Sequence, residues 1–158
     1  MNIRELLPED WERVFEIYKQ GVDSGKATFN TSYPTWEEWN EGHKESCRYV
    51  AIKDNEIVGF LAISYVSTRP HYLGIVEVSV YVDEAHQRQG IGKALLETLI
   101  QEAPNHEIWC LYSSIMSENE GSIKLHETCG FRTIGYRERI AKDRFGIWRN
   151  TTLMEYRF

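Results

Sequence analysis

The stretch that decides the fold is IVEVSVYV at residues 75–82, followed by the loop DEAHQRQ at 83–89 and by GIGK at 90–93. Valine at every second position of the first segment predicts a β-strand with one buried face. The two glycines of the last segment open a helix that we expect to continue through Ala103, where Pro104 ends it. The stretch therefore predicts a strand, a short loop and a helix in direct succession.

Apolar periodicity on both sides of this junction predicts the remaining elements. Pro8 suits the first turn of a helix that Gly21 or Gly25 would end, and a capping-box pattern at Thr35 opens a second, short helix. The order of elements predicts an α+β fold, in which a mixed sheet carries helices on both faces within a single domain over residues 1–158. The other predicted strands cover 48–53, 57–66, 108–115, 131–139 and 147–158, and the other predicted helix covers 119–129.

The composition is that of an ordinary globular protein. Of the 158 residues, 42% are hydrophobic and 27% are charged, which is enough to bury a core without disulfides or metals. The net charge of -6 argues against general nucleic-acid binding, and no apolar run reaches the ~20 residues of a membrane span. The amino terminus lacks a secretion signal, and Cys47, Cys110 and Cys129 fit no disulfide framework or zinc site. These features predict a cytoplasmic protein with reduced thiols.

The glycines at 90 and 92 give the junction its chemical interest. A tight turn at the start of a helix directs successive backbone N–H groups and the positive end of the helix dipole at one place, which suits phosphate oxygens. Arg88 and Lys93 add positive charge there. The residues alone also allow a plain strand–turn–helix connection. A dinucleotide fingerprint is excluded because position 95 is leucine, and a nucleoside-triphosphate loop is excluded because position 87 is glutamine.

The pattern Gln87-x-x-Gly90-x-Gly92 after a valine-rich strand resembles the acetyl-coenzyme A motif of the GCN5-related N-acetyltransferase superfamily. The pattern Asn119-x-x-Ser122-x-x-x-His126-x-x-x-Gly130-Phe131 is similar to its second motif. Within that group, residues 77–82, 125–127, 27–29 and 145–148 resemble the phosphinothricin and methionine sulfoximine acetyltransferases. The resemblance covers nearly the whole chain, and it implies a mostly antiparallel sheet and an acetyl-CoA-dependent N-acetyltransferase.

The resemblance implies direct attack of an amine on the thioester while both substrates are bound. Glu77 would be the general base, since an amine attacks only as the free base. His126 would be the general acid for the leaving thiolate, although the superfamily usually has tyrosine there and a lone helix histidine is often a packing residue. The backbone N–H of Val80 would stabilise the developing oxyanion. The residues expected to bind acetyl-CoA are Val80, Tyr81, Val82, Arg88, Gln89, Gly90, Ile91, Gly92, Lys93, Asn119 and Ser122.

The acceptor is expected near the loop at Ser67, Thr68 and Arg69, with Phe29 in the pocket wall. Related enzymes often have two arginines in this loop, whereas this chain has Ser67 in the first of those positions. One carboxylate could still be bound, while a phosphinate would lose a charged partner, so a less anionic amino acid fits better. Trp36 and Trp148 are further candidates for the wall.

Several alternatives remain open at this stage. The acceptor could be a small amino acid or its analogue, a polyamine or a protein N-terminus, and a non-catalytic acyl-CoA sensor would keep the glycines without needing Glu77. No metal site is expected, because the histidines at 43, 71, 86 and 106 show no ligand spacing with acids or cysteines. The resemblance further implies a homodimer.

Overall fold

A seven-stranded sheet runs through the computed structural model, which describes residues 1–158. The strand order is β1-β2-β3-β4-β5-β7-β6, and every neighbouring pair is antiparallel except β4 and β5. None of the helices is both long and apolar enough to cross a membrane. The strands are β1 (Asn2–Glu5), β2 (Tyr49–Lys53), β3 (Glu56–Tyr65), β4 (Ile75–Val82), β5 (Cys110–Met116), β6 (Arg132–Lys142) and β7 (Trp148–Arg157), and the helices are α1 (Trp11–Ser24), α2 (Trp36–Glu41), α3 (Ile91–Glu102) and α4 (Glu120–Thr128).

The two faces of the sheet carry separate cores. Helices α1 and α2 pack on one face, where their apolar side chains surround Val50, Phe60 and Ala62. Helices α3 and α4 pack on the other face, where the larger core includes Leu61 and Val76. Because successive side chains of a strand point to opposite faces, the alternation in β4 assigns its valines to the α3 face and its polar residues to the α1 face. The predicted mixed sheet with helices on both faces is confirmed.

Most element bounds agree with the sequence predictions to within a few residues, and β4 agrees at both ends. Strand β1 was not predicted, because four residues at a sheet edge carry too little periodicity to be recognised. Strand β6 extends three residues beyond the predicted end at Arg139. It does so through an irregular register, in which Arg139 has a φ of 49° and its N–H donates to the Asn150 side-chain oxygen over 2.7 Å.

The pairing between β4 and β5 is short, and the two strands separate where it ends. Only Ile75–Glu77 pair with Cys110–Tyr112, so neither strand bonds to the other beyond that point. Strand β4 nevertheless continues to Val82 along β3, and β5 continues to Met116 along β7. The sheet therefore opens into a cleft between its two central strands.

Candidate active site

The glycine-rich loop closes over the end of β4. Gly90 is the residue before the first turn of α3 and has a φ of 78°, which side-chain-bearing residues rarely adopt. The Gln87 side-chain amide donates to the Val82 carbonyl over 2.8 Å and ties the loop to the strand. Gly92 lies inside α3, where a Cβ would come within 2.8 Å of Leu125 Cδ2. The two glycines therefore serve different needs: backbone geometry at the loop, and close packing of α3 on α4.

A groove of about 550 Å³, which we call the coenzyme groove, runs along this loop. Arg88 and Lys93 line it, so the basic side chains lie where the α3 amides point outward. Gln89 does not line it, and its side-chain oxygen instead accepts from the Lys53 ammonium over 2.6 Å. The predicted acetyl-CoA residues that line the groove are Val80, Tyr81, Val82, Arg88, Gly90, Ile91, Gly92, Lys93, Asn119 and Ser122.

A second cavity, of about 520 Å³, occupies the cleft between β4 and β5. Val80, Tyr81, Asn119 and Ser122 line both spaces, so the groove and this cavity meet where the sheet opens. We call the second space the acceptor cavity. Its aromatic walls come from several segments of the chain: Tyr18, Phe29, Trp39, His43, Phe60, Tyr81 and Tyr112.

Glu77 lies at the point where the β4–β5 pairing ends. Its carboxylate lines the acceptor cavity on the same face as Ser79 and Tyr81. Partial burial raises the pKa of this carboxyl above its usual value, because desolvation penalises the charged form. No protein group forms an ion pair or side-chain hydrogen bond with it, in contrast to Asp83 and Asp143, which are both ion-paired. An unpaired carboxylate with a raised pKa is suited to accept a proton.

His126 lies beneath the cleft and is almost completely buried, with 2% of its surface exposed. Its Nδ1 is 2.7 Å from the Ser122 carbonyl, which can only accept, so Nδ1 carries the proton. Its Nε2 therefore accepts from the Ser113 hydroxyl over 3.0 Å. Burial lowers the pKa of the ring, which favours this neutral form. In this arrangement both ring nitrogens are occupied by hydrogen bonds within the protein.

Asn119 joins α4 to the loop that follows α1. Its side-chain oxygen accepts from the Ser122 N–H over 3.2 Å and caps α4, while its amide nitrogen is 3.5 Å from the Lys26 carbonyl. The residue lines both the groove and the acceptor cavity. It therefore connects the predicted coenzyme residues to the 26–30 segment of the acceptor cavity wall.

Only one of the residues predicted in the acceptor loop and pocket wall lines the acceptor cavity. Phe29 lines the acceptor cavity, but Ser67, Thr68 and Arg69 line neither space. Their loop begins just beyond the end of β3, and the Arg69 N–H donates to Ser67 Oγ over 3.1 Å. Of the two candidate tryptophans, Trp36 packs in the aromatic cluster of α1 and α2, and Trp148 is exposed on β7 below Arg139 and Lys142.

Sequence reasoning missed Trp39, His43, Ser64 and Tyr112 in the acceptor cavity. Ser64 was detectable in principle, because in an antiparallel β3–β4 pair it faces Glu77 across the ladder. The lining contains one carboxylate, that of Glu77, and no lysine or arginine. The structure also contains no cluster of three or more histidine, cysteine or acidic residues arranged to hold a metal ion.

Comparison with known proteins shows which family has this sequence and fold. A model described as the acetyltransferase (GNAT) family matches residues 3–131. The chain is 31% identical over 147 residues to phosphinothricin N-acetyltransferase of Streptomyces coelicolor, with 87% of this chain and 86% of that protein covered. It is 28% identical over 160 residues to the L-methionine sulfoximine/L-methionine sulfone acetyltransferase of Salmonella typhimurium, with 98% and 93% covered.

A solved structure agrees with these sequence matches. The phosphinothricin acetyltransferase of Sinorhizobium meliloti in complex with acetyl-CoA superposes with a TM-score of 0.89 at 25% identity, over 99% of this chain and 88% of that one. The resemblance stated from the sequence motifs and the fold that it implied are thereby confirmed. The chain is an acyltransferase that belongs to the acetyltransferase (GNAT) family.

Proposed function

We propose that this enzyme transfers the acetyl group of acetyl-CoA to the α-amine of a small amino acid or analogue, with Glu77 as the general base. The observation that carries the proposal is the position of Glu77. Its unpaired carboxylate lines the acceptor cavity on β4, three residues before Val80, which lines both this cavity and the coenzyme groove. The named relatives that act on phosphinothricin or methionine sulfoximine support an amino acid analogue as acceptor. The test is acetyl transfer to such amino acids, which is measured through the release of free thiol.

The groove residues fit acetyl-CoA, which supplies an activated acetyl thioester when bound. No atom lies within 4 Å of the position that a Cβ would take at Gly90, so the backbone is open to close approach there. The amides at the start of α3 and the side chains of Arg88 and Lys93 suit a diphosphate. Along β4, the main chain of Val80 and Val82 would pair with the pantetheine arm as an added strand does.

The chemistry of the cavity residues follows from their positions. Glu77 takes the proton of the acceptor ammonium, directly or through a water, and its raised pKa makes it a stronger base than an exposed glutamate. The Asp83 N–H donates to the Val58 carbonyl of β3, so by the alternation of the antiparallel ladder the Val80 N–H points away from β3, toward the cleft. It would donate to the oxygen on which negative charge develops. Both groups are on one strand, so a single rigid element positions the base and the donor.

The general-acid role of His126 stays a prediction. To donate a proton to the leaving thiolate, the ring would have to carry a second proton at Nε2, which now accepts from Ser113. Burial lowers the pKa of the ring and opposes that charge. The observed contacts favour a neutral ring that bonds Ser113 on β5 and the Ser122 carbonyl on α4, and so fixes the spacing between β5 and α4.

A carboxylate-binding role for Arg69 also stays a prediction. Such a role would favour amino acids over polyamines as substrates, because polyamines have no carboxylate. If Arg69 binds the α-carboxylate, Arg69→Ala should raise KM for methionine by roughly 10- to 100-fold, the usual effect of losing a charge-assisted hydrogen bond. KM for methionine amide, which has no carboxylate, should change less than about twofold. Steady-state kinetics with both acceptors measures this difference. Equal effects would mean that Arg69 does not recognise a carboxylate.

We also propose that the enzyme is a homodimer. The β6–β7 hairpin exposes Ile134, Tyr136, Ile140 and Trp148, which is a large apolar area for a surface exposed to water. Size-exclusion chromatography with light scattering should give twice the 18.5 kDa mass of the chain, and Trp148→Glu should shift the mass toward one chain. A single-chain mass for the unmodified protein at micromolar concentration would contradict the proposal. A cytoplasmic location and a single domain over 1–158 stay predictions.

A further inference from the structure

We propose that His43 accepts a hydrogen bond from the side chain of the acceptor, so that the enzyme prefers amino acids whose neutral side chains carry an N–H or O–H donor. The inference rests on the proposed function, because the contact lies in the same acceptor cavity. It adds a specificity-determining residue that the sequence motifs do not contain.

The hydrogen bonding of His43 leaves one ring nitrogen available. Nδ1 is 2.7 Å from the Trp39 carbonyl, which can only accept, so Nδ1 carries the proton. Nε2 is consequently an acceptor, and no protein group hydrogen-bonds it. The ring stacks on the Trp39 indole with a centroid separation of 4.4 Å and lines the acceptor cavity. Trp39 therefore fixes both the tautomer and the plane of the ring.

The segment that carries His43 is held by a buried cation. Arg48 donates to the Asn40 side-chain oxygen over 2.7 Å, and to the Asn40 and His43 carbonyls over 2.9 Å each. Arg48 is 7% exposed and has no acidic partner, so these oxygens replace an ion pair. Burial of the ring, and to a smaller extent the positive charge of Arg48, lower the pKa of His43 and favour the neutral ring. The Lys44 N–H donates to the Ile63 carbonyl over 2.8 Å and brings this segment against β3.

The surroundings of His43 select against anionic side chains. Ser64, the residue after Ile63, lines the same cavity and pairs with Glu77 across the β3–β4 ladder. An acceptor whose amine contacts Glu77 can therefore extend its side chain past Ser64 toward His43. An anionic side chain would find no lysine or arginine in the lining, and burying an unpaired charge is unfavourable. A neutral donor would instead satisfy Nε2.

Two amino acid substrates of nearly equal shape distinguish the contact with His43 Nε2 from the other contacts in the cavity. L-Methionine sulfoximine carries an N–H donor where L-methionine sulfone carries a second oxygen. An oxygen placed against Nε2 would bring two hydrogen-bond acceptors together. The unmodified enzyme should therefore have a kcat/KM for the sulfoximine roughly tenfold above that for the sulfone, the usual effect of one hydrogen bond. His43→Phe retains ring stacking but removes the acceptor atom. It should lower kcat/KM for the sulfoximine by a similar factor and leave that for the sulfone within about twofold.

The control is His43→Gln, whose side-chain oxygen can replace Nε2 and should retain part of the preference. Equal kcat/KM values for the two acceptors with the unmodified enzyme, or equal losses in His43→Phe, would overturn the inference. Calorimetric titration of both acceptors into the unmodified protein and His43→Phe separates this result from failure of the proposed function. Binding that depends on His43 without acetyl transfer would refute the proposed function alone, whereas binding of neither compound would refute both.

Discussion

Glu77→Gln is expected to lower kcat at neutral pH by roughly 100- to 10,000-fold, the usual contribution of a general base. The amide has nearly the same shape as the carboxylate but cannot accept a proton from the ammonium group of the acceptor. Affinity for acetyl-CoA should change little, because Glu77 lines the acceptor cavity and does not line the coenzyme groove. Steady-state rates from thiol release and calorimetric titration of acetyl-CoA measure the two quantities separately.

The pH profile of the unmodified enzyme gives the same residue a second test. Burial raises the pKa of Glu77, so kcat/KM should fall as the pH decreases through that raised value, where the carboxyl becomes protonated. Above it, the ionised base is fully present. The residual activity of Glu77→Gln should lack this limb, while Glu77→Asp, which keeps a carboxylate on a shorter side chain, should retain it at reduced kcat. Unchanged turnover in Glu77→Gln across the pH range would remove Glu77 from the base role.

Gly90→Val is expected to raise KM for acetyl-CoA by roughly 5- to 30-fold. The φ of 78° at this position is unfavourable for an L-residue by roughly 1–2 kcal/mol, which corresponds to that range of affinity if the loop shifts to relieve it. Nothing lies within 4 Å of the added Cβ, so the effect comes from the backbone conformation and not from a clash with the protein. At saturating acetyl-CoA, kcat should remain within a few-fold of the unmodified value.

Gly135→Ala is the matched control for this variant. Gly135 lies in β6, away from the groove, and an added Cβ would meet only Leu153 Cδ1, at the ordinary contact distance of 3.6 Å. Both KM and thermal stability should stay close to the unmodified values in the control. If Gly90→Val left KM for acetyl-CoA and the melting temperature unchanged, the loop geometry would have no role in coenzyme binding.

The part of the site that is contiguous in sequence could be predicted from the sequence. The period-2 alternation of β4 placed Glu77 on the face opposite the valines, and the glycines marked the start of α3. Ten of the eleven predicted coenzyme residues line one groove because they lie on only two strand–loop–helix segments. Gln89 is the exception, since its contact with Lys53 depends on the distant β2 end, which no local pattern encodes.

The acceptor cavity could not be predicted in the same way. Its walls come from residues of seven segments, such as Phe29, His43, Ser64 and Tyr112, which meet only through strand register and helix packing. The loop at Arg69 was predicted from a resemblance. It follows β3, whose last residue in the cavity lining is Ser64, and it does not itself line the cavity. Of the aromatic candidates, Phe29 lines the acceptor cavity, whereas Trp36 and Trp148 do not. Residue type alone could not separate them, since a tryptophan packs in a core or on a surface as well as in a binding wall.

Acetyl transfer itself is the most direct test of the central claim. Purified protein would be incubated with acetyl-CoA and L-methionine sulfoximine, and free thiol and the mass of the amino acid would be followed together, with Glu77→Gln in parallel. We expect one N-acetylated amino acid for each thiol released by the unmodified protein, and almost none from the variant. Thiol release without an acetylated amine, or equal rates from both proteins, would contradict the account.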